Sequence, residues 1–137
     1  TFSSIPNGIK QLEILVSKPD MPHNLDIYRY FHEIGGNGIA ASWVWLSQQM
    51  AIHKNEVDPD RWADEVNLIS RLWSNFWLSP ELINPPQLIN GHDIVSELGI
   101  DPGHNIGMYL EAVSESQVMG SIQTKEEAIQ FIRQLLK

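Results

Sequence analysis

The chain has 137 residues, 42% of them hydrophobic, with nine Lys or Arg against seventeen Asp or Glu and no cysteine. That length holds one domain or two small ones around an ordinary core, and the missing thiols exclude disulfides, thiolate metal sites and cysteine nucleophiles. A net charge of -8 argues against a general electrostatic grip on nucleic acid, and no apolar run, signal-peptide pattern or lipidation motif calls for a membrane, so a cytoplasmic setting is the default.

Residues 9 to 17 place Ile9, Leu12, Leu15 and Val16 on one helical face, and Lys18-Pro19-Asp20-Met21-Pro22 breaks that helix. A second helix is predicted from Leu25 to Ile34, closed by Gly35-Gly36-Asn37-Gly38. The third, Ile39 to His53, is rich in Ala, Trp and Leu and is expected to be buried on more than one side. Asp58-Pro59 then supplies an N-cap and a first-turn proline for a longer helix running to Leu78.

Ser79-Pro80 and Pro85-Pro86 bracket a linker across which the composition changes from Trp-rich to Trp-free, which predicts a boundary near residue 84. Beyond it Asn90 can cap a short helix, Gly99 can end it in the left-handed conformation, and Pro102 suits the first turn of the next. Thr124 and Glu127 have capping-box spacing for a final helix. Alternating β-branched runs are absent, so the expected fold is all-α: a helical body segment at 1–83 and a three-helix arm at 84–137.

Gly91, Asp93 and Ile94, then Leu98-Gly99-Ile100 with Pro102-Gly103, then Ile106, Gly107 and Leu110, followed by Gly120, Thr124, Glu126, Glu127 and Ala128, form a pattern that resembles the C-terminal arm of bacterial tRNA nucleotidyltransferases, the CCA-adding enzymes and their poly(A) polymerase relatives. The run from Asp26 to Gly35, with Gly38-Ile39-Ala40, is similar to members carrying a His-Asp phosphohydrolase-type body, so the resemblance covers most of residues 26 to 137. It implies a region that grips tRNA or another RNA 3′ end while a head domain transfers the nucleotide. That head needs a glycine-rich strand-turn and paired carboxylates on two metal ions, and this sequence has neither. The chain thus reads as a C-terminal piece, inactive alone and without catalytic residue, metal site or cofactor of its own. Mg2+ and the nucleoside triphosphate belong to the missing head. The parent's N-terminal domains and a second copy of the chain are the other candidate partners.

Each candidate residue carries a plainer reading beside the functional one. His92 next to Asp93 is a phosphate contact, half of a metal pair, or an idle exposed side chain at a helix start. Pro102-Gly103-His104-Asn105 is either a plain corner with packing glycines at Gly103 and Gly107, or a turn whose bare amides take an RNA phosphate, reinforced by Lys125 and Arg133. His92, Gly103, His104, Asn105, Lys125 and Arg133 are therefore the RNA-contact candidates. Trp62, Val66, Ile69, Trp73, Phe76 and Trp77, with Trp43 and Trp45, form a stripe that reads as core rather than a base-stacking platform, each ring costing about 3–5 kcal/mol to remove.

Phosphohydrolase-bearing relatives often carry an Ala-Asp-His-type segment where this chain has Leu46-Ser47-Gln48-Gln49-Met50-Ala51, with His53 one turn beyond Gln49. A residual phosphohydrolase completed by missing residues is the weakest reading. The main rival to RNA positioning is an acidic helical docking or dimerisation module.

Overall fold

The computed structural model describes residues 4–20, 22–53, 56, 58–103 and 105–137. The described chain is all-α, with seven helices and no strand among the described residues. They are α1 Ser4–Ser17, α2 Asn24–Ile34, α3 Gly38–Ile52, α4 Pro59–Leu78, α5 Gly91–Leu98, α6 Asn105–Val118 and α7 Lys125–Leu136. The chain divides into two compact units, Thr1–Ile83 and Asn84–Lys137.

In the first unit α1 begins five residues before its apolar periodicity does, because Pro6 sits in the first helical turn, where a missing N–H breaks no bond. One turn later Gly8 lets α1 approach α3. A Cβ at Gly8 would stand 2.7 Å from the Cβ of Ala41, closer than two carbons can come. Leu12, Leu15, Ile27, Phe31, Trp45, Leu68 and Leu72 fill the space between the four helices. The turn from α2 into α3 is equally tight: Gly35 has φ 71, and a Cβ at Gly38 would strike the Phe31 ring. The Tyr30 hydroxyl donates to the Gly38 carbonyl at 2.6 Å, and burial pushes this phenol well above its ordinary range. Between α1 and α2, burial raises the Asp26 carboxyl, but the Lys18 ammonium at 3.1 Å and the His23 backbone N–H outweigh it and hold the group below the usual carboxylate range.

Helix α3 departs from the expectation of burial on several sides. Gly38, Ala41, Ser42, Trp45 and Gln49 share one buried face, whereas Trp43, Val44, Met50 and Ile52 are exposed. A high apolar content hid a one-sided helix, since periodicity cannot separate faces that are both apolar. The tryptophan stripe divides likewise. Trp45 is fully enclosed, Trp73 is half-buried with its Nε1 donating to Ser42 Oγ at 2.9 Å, and Trp43 and Trp77 are 56% and 66% exposed. Helix α4 starts as expected: Asp58 Oδ1 accepts from the Asp60 N–H, and Pro59 takes the first position. A single turn at Pro80–Leu82 then brings Ile83 into the core.

The second unit closes around Ile89, Ile94, Val113, Ile122, Ala128 and Ile132. Gln117 donates to the Pro86 carbonyl at 2.7 Å and ties the segment ahead of α5 to α6.

Candidate nucleic-acid interface

Three helix starts meet in the second unit, and local chemistry sets each one. At α5 the Asn90 side chain accepts from the Asp93 N–H at 2.8 Å while the Asp93 carboxylate accepts from the Asn90 N–H at 3.0 Å, a reciprocal cap. Gly99 ends the helix at φ 65, ψ 31, its N–H donating to the Val95 carbonyl. At α7 Thr124 Oγ1 accepts from the Glu127 N–H at 3.2 Å, and Glu127 Oε2 accepts from the N–H groups of Gln123 and Thr124. Gly120, at φ 81, turns the chain out of α6 toward it, with the Ser121 N–H on the Ser116 carbonyl.

Two contacts bring these starts together. A Cβ at Gly91 would lie 3.2 Å from Ile106 Cγ2, so the first turns of α5 and α6 touch. The Lys125 ammonium lies 3.2 Å from Asp93 Oδ1, joining the first turn of α7 to that of α5. The Asn90 backbone N–H, then the Lys125 ammonium, hold the Asp93 carboxyl below the usual carboxylate range.

His92 is exposed on the first turn of α5, beside Asp93, and so shares the neighbourhood of Lys125. Asn105 is the exposed first residue of α6, next to the Ile106 that meets Gly91. Gly103 lies in the bend just ahead, exposed, its carbonyl accepting from the Ile106 N–H at 3.1 Å. Arg133 is exposed but two turns along α7 from Lys125, about 12 Å by helical rise, and does not belong to the group. His104 lies outside the described residues.

Two expectations for this corner need correction. Pro102 is not in the first turn of α6, which begins at Asn105; with Gly103 it forms the preceding bend. Gly103 and Gly107 are not the packing glycines either, since a Cβ on either meets no atom within 4 Å, and the close approach falls on Gly91. The signal for Gly91 lay in its place as first helical residue, where glycine has no capping advantage over other types and so answers to a neighbour.

The electrostatics distinguish the three starts. Those of α5 and α7 have their amides engaged by their own first-turn carboxylates, Asp93 and Glu127, whereas α6 has no acidic residue in its first turn. An anion drawn to a helix N-terminus therefore meets least competition at α6. Among the described residues no group of three His, Asp or Glu side chains gathers that could hold a metal ion. No helix among them is long and apolar enough to cross a membrane.

Comparison with known proteins gives one local similarity: 49 residues are 35% identical to an A-adding tRNA nucleotidyltransferase of Deinococcus radiodurans, covering 36% of this chain and 11% of that protein. The chain thus matches about a tenth of the length of that curated relative. No family model matches the sequence. No solved structure matches the fold. The chain is therefore similar over a limited stretch to a tRNA nucleotidyltransferase.

Proposed function

We propose that residues 84–137 form an RNA-positioning arm within a protein of the tRNA nucleotidyltransferase kind. The local similarity carries this reading, and the α6 start with His92 and Lys125 beside it is the surface that fits it. A phosphate approaching Asn105 would meet a helix start with no acidic residue in its first turn, an imidazole and an ammonium. Such contacts carry no sequence information but fix the register of the RNA, so that its 3′ end is presented to a head domain elsewhere. The nucleoside triphosphate and Mg2+ belong to that head, and no chemical step is assigned to this chain. With each half of the chain near -4 in charge, affinity for RNA is expected to be weak and confined to a few phosphates.

The test is fluorescence anisotropy with a deacylated tRNA at about 50 and 200 mM salt, where two or three phosphate contacts predict a fall of roughly tenfold. Lys125→Ala with His92→Ala should abolish most binding, while Arg133→Ala should matter less. No binding by the native chain at the lower salt would sink the arm reading.

A second reading, for residues 1–83, rests on the apolar side of α3 and the end of α4. Trp43 packs on Trp73 at 4.7 Å between ring centroids, and Trp77 follows one turn along, so exposed aromatic surface continues across both helices. Exposed apolar surface of this kind serves docking against another protein surface.

A further inference from the structure

Two buried polar atoms of the first unit have no hydrogen-bond partner among the described residues, and their side chains line one small cavity. They are Nε2 of His53, at the end of α3, and Oε2 of Glu65, in the second turn of α4. Glu65 is only 1% exposed, and its other oxygen accepts from Arg61 Nε at 3.1 Å. The cavity measures about 210 Å3 and is completed by Glu56, Asp58, Arg61 and Trp62. A buried carboxylate oxygen lacking a donor is among the least favourable arrangements a folded chain keeps, and it calls for an explanation.

The surroundings say which kind of donor is missing. Asp58 and Arg61 also line a larger cleft of about 540 Å3, shared with Glu13, Asp60 and Asp64 and walled on the apolar side by Val16 and Trp45. The two cavities are neighbours, with Asp58 and Arg61 in both linings, and together present six carboxylates against one guanidinium already paired with Glu65. A divalent metal ion suits this poorly, because no three His, Asp or Glu groups converge among the described residues and Arg61 occupies the wall. An alkylammonium suits it well. It brings three donors to scattered acceptors, its methylenes can lie along Val16, and the Trp62 ring favours a cation beside it. The third unpartnered atom, Trp45 Nε1, is itself a donor and plays no part in holding a cation.

We infer that this cleft binds an extended organic polycation of the polyamine class. Its terminal ammonium enters the inner cavity toward Glu65 Oε2 and His53 Nε2. The remaining ammonium groups lie in the outer cleft among Glu13, Asp60 and Asp64. This site is independent of the RNA reading for residues 84–137.

The experiment is titration calorimetry of the whole chain with spermidine at about 150 mM salt, beside n-butylamine and MgCl2 at matched ionic strength. One spermidine site is expected, with butylamine weaker and MgCl2 producing no comparable heat. Glu65→Gln keeps the acceptor for Arg61 but removes the charge, and should weaken spermidine by at least about tenfold. Glu81→Gln removes an equal charge away from the cleft and should leave binding unchanged. Circular dichroism reports whether Glu65→Gln folds; should it not, His53→Ala, at a half-buried side chain, carries the test with a loss of several-fold. Absent spermidine binding, an equal response to MgCl2, or equal losses in Glu65→Gln and Glu81→Gln would overturn the proposal, the last two by reducing it to counterion screening.

Discussion

Tryptophans of one helix pair answer to opposite demands. Trp45 is wholly enclosed against Leu12 and Leu72, so Trp45→Ala is expected to cost about 3–5 kcal/mol, whereas Trp77→Ala should change stability by less than about 1 kcal/mol. Denaturant titration of both variants checks the contrast. Tyr30 offers a second test. Its phenol is raised by burial, so the stability it contributes is complete below its ordinary value near 10 and is lost as the pH climbs through the folded value. Tyr30→Phe should flatten that alkaline limb, and an absorbance titration should find that the same substitution removes a late-ionising phenol. The sequence showed that these rings recur at helical spacing, but not which ones water reaches, because Trp43, Trp45 and Trp77 look alike until the crossing of α3 and α4 is known.

Between elements, two close approaches decide the geometry. Gly8→Ala would force α1 from α3 and is expected to destabilise by about 1–3 kcal/mol, reduced by the better helix propensity of alanine. Adding Ala41→Gly should recover most of the loss, and failure of that rescue would place the cause elsewhere. In the second unit Thr124→Ala should cost about 1 kcal/mol through the α7 cap. Helix starts were the most legible features, since Asp58, Asn90 and Thr124 each carry a side chain whose only good bond is to a nearby amide. The first turn of α1 was hidden by Pro6, and the contact at Gly91 depends on Ile106, a residue no local rule connects to it. The candidate site was legible in the same uneven way. His92 and Asn105 could be placed at helix starts from spacing, but the Lys125–Asp93 contact joins residues 32 apart and needs the tertiary fold.

At the scale of the whole molecule, the two cores share no buried residue. Ile132→Ala should therefore remove about 2–5 kcal/mol from the second unit, read as lost amide protection in α5, α6 and α7, with α1 to α4 retaining theirs. Equal loss of protection in α1 to α4 would mean that the units fold as one. The all-α class followed from missing strand signals and strong caps. The Glu65–His53 cavity did not, because a lone carboxylate at one end of α4 and a histidine at the end of α3 give no pattern until the helices are packed.

The Lys125–Asp93 pair has one more consequence. Asp93 holds the ammonium that an incoming phosphate would use, so the corner contains a resident competitor tethered by its own backbone. An anion that displaces it leaves a carboxylate no longer favoured by its neighbour, which becomes easier to protonate. Capture of a phosphate at this corner is thus an exchange of one anion for another, favouring ligands that offer several phosphates at once over a single free ion.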